Sequence, residues 1–221
     1  MTTLQPDPHP TRRWTLYLPA SAAVLALAAL VCLSNAYADE AAPPAYKVGD
    51  KWSYTYVDEL TPAHNAETDQ TVVQVSPEHT VIQGKDAAGN QFEVQLDANG
   101  NLEHWGHYAP TPNDGRLTFP MAVGTTWTAE YDLGSVHYKE ENKVAALENV
   151  QTKAGTFQAY RIDSEGQFTS AGWRNIGRVV QTVWYAPAAK RIVKNDWYSR
   201  YGSNSVPTTT HLELTAAQLA Q

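Results

Sequence analysis

The residues with the clearest chemical potential are the histidines. His104 and His107 sit in a His-Trp-Gly-His segment, with His64, His79, His137 and His211 elsewhere in the chain. Together they would suit zinc or copper. Residues three apart in a strand point to opposite faces, however, so His104 and His107 could share an ion only if Gly106 turned the chain. The single cysteine, Cys32, lies in the leader described below, and no His-Glu-x-x-His helix is present. No metal ligand is assigned, and the histidines are expected as exposed polar positions.

Nucleophilic and acid–base chemistry find little more. No Gly-x-Ser-x-Gly elbow occurs, and Gly134-Ser135 reads as a turn. Glu140-Glu141 and Asp163/Glu165 are adjacent or turn-placed acids of the kind that usually face water. The sequence therefore assigns no catalytic residue and implies no cofactor, and it leans away from an enzyme, a hydrolase being the least supported reading.

Aromatic residues are more informative. Trp52, Tyr54 and Tyr56 alternate on one strand face, and Trp127 and Tyr131 share another. With Trp184 they could fill the concave side of a curved sheet, each tryptophan burying on the order of 200 Å². They could instead line a cleft for a lipid, acyl chain or sugar ring. These six are the candidate ligand-binding residues. Trp105, Trp173 and Trp197, beside glycine or charged residues, are expected at a rim.

The elements that would position them begin after a leader. Arg12 and Arg13 precede an uncharged apolar run from Ala20 to Leu33, and Ala36-Tyr37-Ala38 supplies small residues where a signal peptidase reads. Residues 1–38 are read as a signal peptide cleaved before Asp39, which predicts a periplasmic or secreted protein. Thr11-Arg12-Arg13-Trp14 also resembles a twin-arginine signal, with Thr15 departing from it, so the export route stays open. No further apolar run is long enough to cross a membrane. Cleavage removes the only cysteine and hence any disulfide. The chain carries a net charge of −7, which excludes the basic patches that drive binding to nucleic acid and anionic membranes.

Residues 39–45 read as a flexible leader. From residue 46 to 214 short β-branched and aromatic runs alternate with Gly, Pro, Asn and Asp punctuation. This predicts an all-β, antiparallel fold of about ten to twelve strands, as a curved sheet, open half-barrel or sandwich. Residues 215–221 are read as a tail with a short turn or helix. Val123-Gly-Thr-Thr-Trp127 echoes Val48-Gly-Asp-Lys-Trp52, and Gly155–Gly166 echoes Gly89–Gly100 in the same order. The order suggests duplicated halves, 46–115 and 116–214, although short Gly/aromatic strands also arise independently. Gly49, Gly124, Gly155, Phe157 and Pro187 are expected to be structural, as turn and strand-ending positions.

Around Gly155-Thr156-Phe157 and Trp184-Tyr185-Ala186-Pro187 the chain resembles a family of exported bacterial β-rich domains of unknown function. Its members carry Val-Gly-x-x-Trp strands, a Pro-Ala-Gly-Thr-Phe-x-Ala segment, a Trp-Tyr-(Ala/Ser)-Pro corner and then Val-Lys, as in Val193-Lys194. Lys153 stands where that pattern has proline. The resemblance implies an exported β-rich protein and no catalytic residues. Two functions follow: a binding or carrier module for a lipid or other small hydrophobic ligand, or an envelope domain that docks a partner protein through strand edges.

Overall fold

The computed structural model describes residues 40–221 except 171, 172, 203 and 204, with the side chains of 173–175 also left undescribed. The signal segment falls outside the described residues. The strands are β1 (Lys51–Asp58), β2 (Ala66–Val75), β3 (His79–Asp86), β4 (Gln91–Asp97), β5 (Leu102–Trp105), β6 (Pro110–Thr111), β7 (Thr126–Leu133), β8 (Val136–Thr152), β9 (Gly155–Ser170), β10 (Trp173–Ala186), β11 (Arg191–Tyr201) and β12 (Thr208–Gln218). They form one 12-stranded sheet in the order β5-β4-β3-β2-β1-β12-β11-β10-β9-β8-β7-β6. Chain neighbours are sheet neighbours except across one gap, and β1 pairs with β12. The result is an antiparallel meander nearly closed into a barrel, with a single seam between β5 and β6.

Alternation explains the lumen. On β1, Trp52, Tyr54 and Asp58 are buried while Lys51 is exposed, as a half-buried strand requires. Register then carries the inner face from strand to strand. Trp127, Asn142, Ser164, Gln181, Trp197, Thr210 and Asp58 stand opposite one another in turn across β7 to β12 and β1. Such a polar row inside a barrel must satisfy itself. Ser164 Oγ donates to Asn142 Oδ1, and Asn142 Nδ2 donates to the Glu140 carbonyl at 3.2 Å.

One end of the lumen is packed solid by Trp52, Tyr54, Val72, Ile82, Val94 and Leu214 with their neighbours. The connection between β6 and β7 turns inward rather than crossing the surface. Its Leu117 and Met121 are buried against Val144, Ile162, Val183 and Tyr185. The seam is stitched rather than paired. Leu102 N–H donates to Asp114 Oδ1 and Asp114 N–H to the Leu102 carbonyl, each at 2.9 Å. The Asn101 side-chain amide exchanges two bonds with the Leu117 backbone, standing in for a strand neighbour.

Both Val-Gly-x-x-Trp segments use one device. Gly49 N–H donates to the Val72 carbonyl and Val72 N–H to that of Asp50; Gly124 N–H donates to Val144 and Val144 N–H to Thr125. Gly49 and Gly124 have φ of +94° and +96°, which a residue with Cβ resists. The second echo diverges. Gly100 lies in a turn at φ +82°, whereas Gly166 is inside β9.

Three sequence expectations are corrected. Residues 40–45 are anchored rather than flexible: Ala41 is buried and exchanges two backbone bonds with Met121. Thr215–Gln218 is strand rather than a terminal turn or helix, because pairing of Ala216, Ala217 and Gln218 with Ser53, Trp52 and Lys51 overrides the weak helix preference of alanine. The sequence pattern reads as two separate runs, 136–145 and 147–152, but they form one strand, β8. A bulge between Val144 and Ala146 shifts the side-chain phase, which reads as a break in a sequence pattern.

Candidate functional site

A cavity of about 510 Å³ lies beside the first core, and Leu102, Trp105 and Leu212 belong to the border of both. Its wall draws on strands that are far apart in the sheet: Tyr56 from β1, Trp105 from β5, Tyr138 from β8, Trp197 from β11 and Leu212 from β12. Only a sheet rolled on itself brings these together. Trp105 stacks on Phe92 at 5.7 Å, and Tyr138 stacks on Tyr131 at 4.9 Å and Phe168 at 5.4 Å. The wall is therefore a supported aromatic surface rather than a set of loose side chains.

Polar side chains also line it: Thr68, His107, Arg116, Asn195, Thr208 and Thr210. Arg116 lines the cavity with its guanidinium 6.0 Å from the Trp197 ring and its Nε 3.1 Å from Asp114 Oδ2. Burial is the largest influence on Arg116 and works against its charge, but Asp114, Tyr108, Tyr131 and Glu140 together prevail, so the group is held protonated. Asp114 is itself raised by burial, against the opposing pull of Arg116. Glu140 is raised by burial too, against Arg116 and bonds donated by Tyr131 Oη at 3.0 Å and Gln181 Nε2 at 3.0 Å. Asn195 is 8% exposed and lines the cavity, and its Oδ1 accepts no hydrogen bond. A buried amide left unpaired costs about 1–3 kcal/mol.

A second, smaller void of about 60 Å³ lies deeper and shares Leu102, Trp105, Arg116 and Leu212 with the first. Tyr46, Tyr54, Asp114 and Arg191 also line it. Arg191 Nη2 donates to Gln70 Oε1 at 3.0 Å, and its guanidinium lies 5.1 Å from the Trp52 ring and 5.8 Å from that of Tyr54. Its Nη1 is buried with no hydrogen-bond partner.

The six candidate binding residues are scattered. Tyr56 lines the main cavity and Tyr54 the deep void. Trp52 is 1% exposed in the packed end, with Nε1 donating to the Ala189 carbonyl at 2.9 Å. Trp127 is half-buried against the second core, its Nε1 donating to Gly115 at 2.8 Å. Tyr131 is buried beneath Tyr138. Trp184 is not on the concave side. It lies across from Arg161 and Lys194, with Nε1 donating to Glu148 at 2.8 Å and Lys194 Nζ 4.9 Å from its ring. Of the rim candidates Trp105 and Trp197 line the cavity, while the side chain of Trp173 lies outside the described residues.

Gly155 opens β9 at φ +131°, Phe157 packs half-buried on the first core, and Pro187 starts the 3-10 turn Pro187–Ala189. Among the described residues no cluster of His, Asp and Glu could hold a metal ion. Four histidines pair with nearby acids instead: His64 with Asp58, His79 with Glu103, His137 with Glu130 and Asp132, and His211 with Glu59 and Asp196. Nor is any described helix long and apolar enough to cross a membrane.

Sequence reasoning passed over Arg116, Arg191 and Asn195. Asn195 had a signal: it shares the inward phase of Val193 and Trp197. Arg116 had none, because its position depends on the seam.

Neither a scan against family models nor a search of curated proteins found a match. Among solved structures the chain is similar to a hypothetical lipoprotein, YmcC, from Escherichia coli, at 12% identity over 94% of this chain and 100% of that one, with a TM-score of 0.46. It is also similar to a "putative exported protein with YmcC-like fold" from Bacteroides fragilis, at 15% identity over 80% and 98%, with a TM-score of 0.48.

Proposed function

We propose that this chain is an exported, non-catalytic binding module that holds a small hydrophobic ligand inside its barrel. The observation that carries this reading is the cavity of about 510 Å³ walled by Tyr56, Trp105, Tyr138, Trp197 and Leu212. Its volume falls in the range of small-molecule sites, roughly 300–1,000 Å³, and apolar walls with a few polar groups are what such sites have. Export rests on the leader sequence, and recovery of the protein from the envelope or medium with Asp39 as its first residue tests that part.

Docking through strand edges has less support. The edge strands are the four residues of β5 and the two of β6, and the bonds between Leu102 and Asp114 occupy part of the β5 edge. Short, covered edges are poor templates for strand addition.

Displacement of a solvatochromic naphthylamine dye from the mature protein tests the binding reading. A saturable signal that Trp197→Ala and Trp105→Ala weaken, in variants that melt cooperatively, supports it. No saturable dye signal, together with a ligand-free mass for protein taken from its own envelope, would sink it.

A further inference from the structure

The feature that a purely apolar ligand leaves unexplained is Arg191. Buried charges are normally paired, because an isolated one loses its hydration. Among the described residues Arg191 has no carboxylate partner. Its neighbours are all neutral: the Gln70 amide, the Tyr46 and Tyr54 hydroxyls and the Trp52 ring. Gln70 takes Nη2, and the buried Nη1 has no well-aligned hydrogen bond. The one acid lining the same void, Asp114, is already engaged, its Oδ2 by Arg116 and its Oδ1 by the Leu102 N–H.

The void has the size of a compact head group. At about 60 Å³ it exceeds what one water needs and stops well short of a ring. It abuts the aromatic cavity, sharing four lining residues with it. Arg191, Asn195 and Trp197 follow one another along β11. At about 3.3 Å per residue, Arg191 and Trp197 are roughly 20 Å apart, the length of an extended small amphiphile rather than a compact ligand.

We propose that the ligand is an amphiphile with a carboxylate head, seated in the void against Arg191 and Arg116, its apolar body running past Asn195 to Trp105 and Trp197. This rests on the binding-module reading above and adds the head-group class and the residues that select it. A guanidinium matches a carboxylate with two parallel N–H donors, a geometry that a lysine cannot reproduce.

The test compares dodecanoate with dodecanol as competitors of cis-parinaric acid, read by energy transfer from the cavity tryptophans of the full mature protein. The expected result is a preference of about tenfold or more for dodecanoate, the value of a hydrogen bond to a charged group. Arg191→Gln and Arg191→Lys should reduce that preference, leaving dodecanol within about twofold of its original affinity. Thermal melts of both variants show whether they fold, and the wild-type comparison stands without them. Equal affinities for acid and alcohol would overturn the head-group assignment and leave the binding reading intact. A preference that survives Arg191→Gln in a folded variant would overturn the role of Arg191. Binding of neither compound would count against both proposals.

Discussion

Lys190 Nζ lies 2.7 Å from Asp50 Oδ2, joining residues 140 positions apart at the closed end of the barrel. Asp50 is fully buried and also accepts from the N–H groups of Lys47 and Ala220, at 2.9 and 2.8 Å. One carboxylate thus holds the entry to β1, the turn before β11 and the C-terminal end of the chain. Burial alone would raise its pKa, but the bonds from Lys190, Lys47 and Ala220 prevail and lower it.

Asp50→Asn should therefore destabilise the fold by about 3 kcal/mol, the lower end for breaking a buried pair, since Lys190 keeps some contact with water. A carboxyl with a depressed folded pKa stabilises above its unfolded value, near 3.9, and the gain is lost as pH falls through the lower folded value. The stability gap between wild type and variant, from urea melts, should be full at neutral pH and close in acid. A gap that persists unchanged below about pH 3 would refute the assignment.

Much of this was legible in the chain. The alternation of Trp52 and Tyr54 sets the inward phase of β1, and the paired Val-Gly-x-x-Trp segments carry the same turn bonds to Val72 and Val144. What a linear pattern cannot carry is closure. Tyr56 and Tyr138 meet one cavity only because β1 pairs with β12 and the sheet returns on itself. Trp184 has the same residue type as Trp52, yet its phase on β10, opposite that of the buried Val183 and Tyr185, turns it to charged neighbours. Phase leaves it half-buried at the margin of the first core rather than inside the lumen. The seam is equally opaque: Asn101 and Asp114 replace strand partners with side-chain bonds that no periodicity encodes.

Two strand glycines face aromatic rings and should differ in tolerance. A Cβ on Gly177 would sit 2.0 Å from Phe168 Cζ, and one on Gly84 2.1 Å from Phe92 Cε2. Phe168 is 2% exposed and is fixed by Tyr138 and by an edge contact with Tyr201 at 4.5 Å. Gly177→Ala should cost about 3 kcal/mol, the upper range for overpacking. Phe92 is half-buried and can yield, so Gly84→Ala should cost about 1 kcal/mol and shift Trp105, its stacking partner, at the cavity wall. Chemical denaturation gives the order, and tryptophan emission reports the displacement. Equal costs for the two would contradict the packing argument.

Glu140 gives a pH dependence of opposite sign to that of Asp50. Burial raises its folded pKa above the unfolded value, near 4.3, so the unfolded chain releases the proton first. Stability then falls as pH rises from that value towards the raised one. Glu140→Gln removes the titration. Gln181 can turn its amide so that its unpaired Oε1 accepts from the new side chain. The variant should match wild type near pH 4 and exceed it increasingly towards neutrality, in urea melts at several pH values. A constant difference across that range would show that Glu140 does not titrate in the fold.

Asn195 separates binding from stability. Its Oδ1 is buried without a donor, on the wall of the main cavity. Val193 and Val183, its inward-facing neighbours, are fully buried, so a branched apolar side chain suits the site. Replacing an unsatisfied amide by leucine removes a desolvation penalty of about 1–3 kcal/mol at little steric cost. Asn195→Leu should raise the melting temperature of the ligand-free protein by about 2–4 °C for each kcal/mol regained. If the amide instead serves the ligand, the same variant should hold dodecanoate more weakly while melting higher. Calorimetry of the free protein and competition with cis-parinaric acid measure the two effects separately. A lower melting temperature would mean that the Asn195 amide is satisfied in solution.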